Sequence, residues 1–316
     1  MDATPVAFLF PGQGSQAPGM GLRMAEAFPE ARAVFEEADA SLGFSISELC
    51  FQGPEDRLRL TELTQPAILA SSIACLRPIL SRDIAPGWVA GHSLGEYSAL
   101  VCAGALRLPD AVRLVNRRGR YMQEAVPVGK GAMAAILGMP PEQVESLCRD
   151  EARGEVLAAA NFNSPDQTVI AGSAGAVARA VAAAPGRGAK RVVPLPVSAP
   201  FHCELMAPAR ERLTPDLEEA PFSDLSFPLI ANVDARALRG AGEARSSLIR
   251  QVTSPVRWEA SVREMFRLGA RIFVEVGPGK VLSGLVRRIL PEAKVLNVED
   301  PASLERTLTT LRGGGP

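Results

Sequence analysis

The sequence predicts an α/β fold in which a small second unit interrupts a larger one, and three observations carry that prediction. Short apolar runs, residues 6–10 and 88–90, each end in a glycine-rich turn, and helical patterns follow them. Between residues 131 and 197 the patterns change to the order βαββαβ, the split unit of ferredoxin-like folds. Beyond residue 198 the chain returns to strand, helix, strand, turn and helix.

Val6 to Phe10 reads as a buried strand, ending in the glycine-rich loop Pro11-Gly12-Gln13-Gly14-Ser15-Gln16, which continues neither regular structure. Ala-rich helical patterns follow, then an apolar helix over 65–80. Pro86-Gly87 leads into the strand Trp88-Val89-Ala90, and helices are expected over 96–103 and 110–125. In the inserted unit, strands are expected at 132–137, 156–162, 168–171 and 191–197, with helices at 140–152 and 174–184. The return carries a strand at 227–232, a helix at 258–268, a strand at 272–276, a Gly277-Pro278-Gly279 turn and a helix at 281–289. The terminal Gly313-Gly314-Gly315-Pro316 reads as a frayed tail. The expected organisation is therefore a larger subdomain from 1–128 and 198–316, with a smaller one from 129–197.

At 316 residues and 47% hydrophobic content the chain can bury a sizeable core. Lys and Arg number 34 against 35 Asp and Glu, for a net charge of -1, which argues against nucleic-acid binding or a polybasic membrane surface. The N-terminus lacks a basic region, and its apolar run is too short for a signal or a membrane span, so a cytoplasmic protein is expected. Cys50, Cys75, Cys102, Cys148 and Cys203 are spread out with no Cys-x-x-Cys spacing and read as buried free thiols. With only His92 and His202, no metal cluster is expected.

The pentapeptide Gly91-His92-Ser93-Leu94-Gly95 matches Gly-x-Ser-x-Gly directly after a strand. Small residues on both sides permit a sharp strand-to-helix turn that offers the serine hydroxyl as a nucleophile, and the next backbone N–H, that of Leu94, then opens a helix where an oxyanion can be held. Ser93 needs a base. His92 is adjacent on the turn, where consecutive side chains diverge, so His202 in Ser198-Ala199-Pro200-Phe201-His202 is the candidate, a helix-capping or core histidine being the alternatives. Arg118 falls within the apolar face formed by Ala111, Leu114, Val115, Met122 and Ala125, whereas Arg117 and Arg120 fall outside it. A guanidinium there either snorkels to water or meets a partner, and its planar fork suits a carboxylate.

These segments, with Phe10 to Gln16, Glu96-Tyr97-Ser98-Ala99-Leu100, Arg118-Gly119, Met122-Gln123, Asn161-Phe162-Asn163-Ser164-Pro165, Ala199 to His202, Gln251, Pro255-Val256-Arg257-Trp258 and Glu275 to Lys280, strongly resemble the malonyl-CoA:acyl carrier protein transacylases and the related acyltransferase domains of polyketide and fatty acid synthases. The resemblance implies an α/β-hydrolase-like large subdomain and a ferredoxin-like small one, with the site between them. It makes Ser93 the nucleophile and His202 its base and later acid, and it gives the backbone N–H groups of Gln13 and Leu94 the oxyanion. Arg118 would hold the malonyl carboxylate, and the backbone carbonyl of Gln251 would orient the histidine. Met122, Phe201 and Asn163 would line the substrate site.

The implied reaction is a ping-pong transfer of malonyl from malonyl-CoA to the phosphopantetheine thiol of holo-acyl carrier protein, with no metal or cofactor and with a monomer as the default. Phe201 before the histidine implies malonyl over methylmalonyl, although the segment reads Ala-Pro-Phe-His where many related domains have His-Ala-Phe-His. A trans-acting acyltransferase for a polyketide synthase is the alternative. A proofreading hydrolase would tend to lack Arg118, and a docking module would need no Ser93. Gly277-Pro278-Gly279-Lys280 lacks phosphate-loop spacing and reads as a turn. Arg187, Lys190 and Arg191 read as a solvated basic face or as a contact for an acidic carrier or coenzyme A phosphates.

Overall fold

A computed structural model describes residues 5–197 and 199–313; the expected tail beyond Gly313, the first four residues and Ser198 lie outside the described residues. Ten strands are present among the described residues: β1 (Val6–Phe10), β2 (Trp88–Gly91), β3 (Gly131–Leu137), β4 (Leu157–Ser164), β5 (Gln167–Ser173), β6 (Arg191–Pro194), β7 (Leu229–Ile230), β8 (Ala237–Leu238), β9 (Ile272–Val276) and β10 (Lys294–Val298). They form two sheets, making a mixed α/β fold.

The six-stranded sheet has the order β10-β9-β1-β2-β7-β8. All of its pairings are parallel except the β7–β8 edge, with Phe10 opposite Gly91 and Leu9 opposite Glu275. Helices cover both faces, which is why every residue of β1 is buried and why its sequence is a continuous apolar run. One covering element, Thr61–Leu80, is apolar on nearly all sides because it sits in the core, packed among the sheet and the helices Pro29–Leu42 and Leu108–Glu124. Parallel strands end at one common edge, so the loops after β1, β2 and β9 are neighbours.

The four-stranded sheet is antiparallel, in the order β4-β5-β3-β6, and two helices, Pro141–Ala152 and Ala174–Ala183, pack on one face. It is tied to the larger sheet's surroundings by a bridge between Asn161 and Val256, with Phe162 N–H donating to Val256 O and Val256 N–H donating to Ala160 O, both at 2.9 Å.

The strand expected at 227–232 is shorter in the structure, spanning only Leu229–Ile230. Beyond it the chain folds into a turn, with Ala231 N–H donating to Arg236 O, and Asn232 turns aside to serve the loop after β2. The helices Ala241–Gln251 and Pro301–Arg312 and the strands β8 and β10 were not expected. Strand β10 is only half-buried and its pattern is interrupted by Asn297, and Pro301–Arg312 is set by the side chain of Asp300 capping Ser303 N–H at 2.7 Å.

Candidate active site

Strand β2 ends at Gly91 and the chain turns through His92, Ser93 and Leu94 into the helix Gly95–Cys102. The turn is tight. A Cβ on Gly91 would lie 1.9 Å from Gly95 C, and one on Gly95 would lie 2.0 Å from Phe10 O, so neither position admits a side chain. Ser93 itself takes φ 52°, a left-handed conformation costly for a residue with a Cβ. Asn232 over-determines that geometry: its Oδ1 accepts from Ser93 N–H at 2.7 Å and its Nδ2 donates to Gly91 O at 2.7 Å.

The Ser93 Oγ stands 2.7 Å from His202 Nε2. His202 lies in the irregular segment after β6, is 3% exposed, and also holds a positive φ of 61°. Its Nδ1 faces Gln251 O at 3.0 Å, which assigns the proton to Nδ1 and leaves Nε2 free to accept from the serine. The third member is thus a carbonyl rather than a carboxylate. Burial, and then the nearby Arg118 charge, push the His202 pKa down to about 3, so the ring is a neutral base at ordinary pH. His92 is occupied elsewhere: its Nε2 lies 2.8 Å from Asn163 Oδ1 and its ring tilts against Trp258, with centroids 5.6 Å apart.

Arg118 is 1% exposed on the helix Leu108–Glu124, on the same face as Leu114, Val115 and Met122. Its Nη1 donates to Gln65 Oε1 at 2.7 Å, and its Nη2 donates to Gln251 Oε1 at 2.9 Å and to Ser93 Oγ at 3.2 Å. The guanidinium also lies 5.6 Å from the centroid of the Tyr97 ring. Among the described residues no carboxylate forms an ion pair with it, and its Nε is buried without a hydrogen-bond partner. Such a cation is costly to bury, and burial lowers its pKa. The Glu96 carboxyl raises its pKa only through space, so a carboxylate arriving beside Ser93 would meet a cation with no counter-ion in contact.

The loop after β1 approaches the turn closely: a Cβ on Gly12 would lie 2.4 Å from His92 O. Next to it, Gln13 is anchored through its Oε1, which accepts from Thr61 Oγ1 at 2.5 Å. Leu94 stands at the start of the helix Gly95–Cys102, where backbone N–H groups have no helical partner. A cavity of about 100 Å³ opens onto Ser93, walled by Gln13, Met133, Asn161, Leu195, Phe201 and His202, a volume on the scale of a short acyl group. A larger hollow of about 530 Å³ beside Ser15, Arg23, Gly279 and Asp300 contains no nucleophile and base pair.

The structure therefore brings together Ser93, His202, Arg118, Gln251, Gln13, Leu94 and Phe201. Met122 is buried behind them, its Sδ 3.9 Å from Gln65 Nε2. Asn163, expected to line the substrate site, stands one layer back against His92, and Asn161 lines the cavity instead, because side chains two apart on bulged β4 are offset. Arg187 of the basic cluster pairs with Asp150 at 2.5 Å. The turn after β9 holds Lys280 against Glu299 at 3.0 Å. All five cysteines are free and buried.

Four residues of this constellation had no assigned role in the sequence: Asn232, Glu96, Gln65 and Asn161. Glu96 carried a signal, being a carboxylate within an apolar helical stretch. Asn232 lies 139 positions from Ser93, and nothing in local spacing joins them.

The sequence profile of the acyl transferase domain matches residues 7–309. The malonyl CoA-acyl carrier protein transacylase of Salmonella typhimurium is 47% identical over 97% of this chain and 99% of its own length, and that of Bacillus subtilis is 46% identical over 97% of each. Among solved structures, an acyl carrier protein S-malonyltransferase from Vibrio cholerae superposes with TM-score 0.94 at 46% identity, covering 96% of this chain and 99% of the other. A malonyl-transacylase in complex with its type II polyketide synthase acyl-carrier protein does so with TM-score 0.94 at 45% identity, covering 98% and 99%. The chain belongs to the acyl transferase domain family, with malonyl CoA-acyl carrier protein transacylases among its relatives.

Proposed function

We propose that this protein transfers the malonyl group of malonyl-CoA to the phosphopantetheine thiol of acyl carrier protein, through a malonyl ester on Ser93, for fatty acid synthesis. The observation that carries the reading is the juxtaposition of a serine–histidine pair with a buried guanidinium that has no ion-pair partner among the described residues, 3.2 Å from the serine Oγ. A nucleophile for a thioester carbonyl and a seat for the acyl group's free carboxylate are thereby one short acyl chain apart.

In the first half-reaction His202 Nε2 takes the Ser93 proton as Oγ attacks the thioester carbonyl. The resulting oxyanion is assigned to the N–H groups of Gln13 and Leu94. The carbon–sulfur bond then breaks, and the coenzyme A sulfur leaves with the proton from His202. In the second half the carrier's thiol gives its proton to His202 and attacks the ester, and Ser93 Oγ leaves and recovers that proton. The exchange is redox-neutral and its proton movements are all met by His202, so we read no metal or cofactor into it. Gln251 O keeps the imidazole in the tautomer both halves require, and Phe201 narrows the space beside the acyl α-carbon in favour of malonyl.

We also read the six-stranded sheet as an α/β-hydrolase-like larger subdomain, residues 1–128 and 198–316, and the four-stranded one as a ferredoxin-like smaller subdomain, residues 129–197. The antiparallel order β6-β3-β5-β4 across a βαββαβ unit supports the second assignment. A cytoplasmic monomer is proposed, supported by five unpaired buried thiols and by large exposed apolar side chains that are few and scattered among the described residues. The polyketide carrier bound by a 45% identical relative makes a polyketide carrier the second acceptor to test. Steady-state transfer from malonyl-CoA to each holo-carrier tests the reading. Parallel double-reciprocal lines are expected, and a random or ordered ternary pattern would oppose a covalent malonyl intermediate.

A further inference from the structure

Glu96 follows the nucleophile turn directly and is wholly buried, yet the chemistry above does not use it. Its carboxyl never touches Arg118 as an ion pair. Instead it meets three donors: Oε2 accepts from Gln251 Nε2 at 2.9 Å and from Asn232 N–H at 3.1 Å, and Oε1 faces Ser247 Oγ at 3.5 Å.

These contacts decide which way the Gln251 amide points. An amide has one accepting and one donating end, and the two are interchangeable in shape. Around the Nε2 of Gln251 are acceptors: Glu96 Oε2, Ser93 O at 3.0 Å and Asn232 Oδ1 at 3.4 Å. Around its Oε1 is the Arg118 Nη2 donor at 2.9 Å. Reversed, the amide would aim its NH₂ at the guanidinium and its oxygen at the Glu96 carboxyl. The Arg118 fork would lose a support that now directs it toward Ser93, leaving Gln65 and the serine alone.

Resting on the malonyl-transfer reading, we infer that Glu96 is a positioning residue for selectivity: by holding the Gln251 amide with its oxygen toward Arg118, it aims the guanidinium at the acyl carboxylate while leaving that cation without a direct carboxylate partner. The separation matters. A carboxylate in direct contact with Arg118 would compete with the substrate's own, whereas one placed an amide away supports the fork and leaves its Nε unfilled. The device acts chiefly on the carboxylate seat, because the His202 ring is held by the Gln251 backbone rather than its side chain and the Ser93 turn is held by the Asn232 side chain.

Two conservative variants separate reach from charge. Glu96→Gln keeps an oxygen for Gln251 and Asn232 and can turn its NH₂ to Ser247. Glu96→Asp keeps a carboxylate but withdraws it by one methylene. For each, the rate of malonylation by malonyl-CoA is compared with the rate of phosphonylation by a neutral fluorophosphonate, which needs Ser93 and His202 but no carboxylate seat. The expected result is a roughly 10-fold or greater fall in malonylation for Glu96→Asp, with phosphonylation within about 3-fold of the unaltered protein, and both rates near normal for Glu96→Gln. The inference is overturned if Glu96→Asp leaves malonylation intact, if it lowers both rates together, or if Glu96→Gln loses as much as Glu96→Asp. Phosphonylation without malonylation in the unaltered protein would sink the malonyl reading itself, and the inference with it.

Discussion

The Nη2 of Arg118 and the Oγ of Ser93 lie 3.2 Å apart, so the cation donates to the nucleophile. Arg118 is thereby held beside the point of attack, where a carboxylate two carbons from the reacting carbonyl can take over its donors. The contact also explains part of the low basicity of His202, because a positive charge beside the serine opposes a second one on the imidazole.

Replacing Arg118 by Ala should therefore cost about 2–5 kcal/mol of transition-state binding for malonyl-CoA, the range for leaving one partner of a buried charge pair alone. An acyl-CoA without a free carboxylate should lose far less. Loading rates for malonyl-CoA and acetyl-CoA on the same variant check this, and an equal loss for both would remove Arg118 from carboxylate binding. Arg118→Lys should not restore the rate, since one ammonium cannot reproduce a fork that contacts Gln65, Gln251 and Ser93 together.

Ser93 and His202 act as a unit across a 2.7 Å contact. Ser93→Ala or His202→Ala alone should cost on the order of 10⁶ in turnover, and the double variant should be hardly worse than either. Single-turnover rates for the three proteins measure this; additive losses would mean that the two residues act in separate steps.

How much of this was legible in the sequence divides along physical lines. The turn at Ser93, the buried face carrying Arg118 and the antiparallel unit from β3 to β6 are written in local spacing, and each appears at about its expected place. Asn232 and the side chain of Gln251 act through contacts 139 and 133 positions long, and no local pattern encodes those. Asn163 shows the limit from the other side. Its segment was recognisable, but which of two nearby asparagines faces the cavity depends on the irregular register of β4 against β5.

Two buried groups give stability opposite pH dependences. Burial pushes the Glu96 pKa up to about 7, above the roughly 4.3 of an unfolded chain, so its contribution is full below the unfolded value and is lost as pH rises through 7. His202, lowered to about 3, contributes stability that is full above about 6.5 and lost as pH falls toward 3. Glu96→Gln, which has no proton to lose, should accordingly gain in Tm relative to the unaltered protein as pH is raised from 6 to 8. Thermal melts across that range read the difference, and a constant offset would contradict a carboxyl that ionises at a cost.

Phe201 is 9% exposed and forms one wall of the cavity at Ser93. Phe201→Ala should narrow the preference for malonyl over methylmalonyl by about 10-fold, the lower end of what one methyl group decides in a tight pocket. Competition between the two thioesters for loading would show it. An unchanged ratio would move the selectivity to another wall, such as Met133 or Leu195.

The central claim, a malonyl ester on Ser93 that passes to a carrier thiol, is tested most directly by intact-protein mass spectrometry after brief mixing with malonyl-CoA, followed by addition of holo-acyl carrier protein. A single malonyl adduct is expected, mapped to the peptide containing Ser93, that disappears as malonyl appears on the carrier. Free malonate with neither a lasting adduct nor transfer would show water to be the acceptor and would contradict the account.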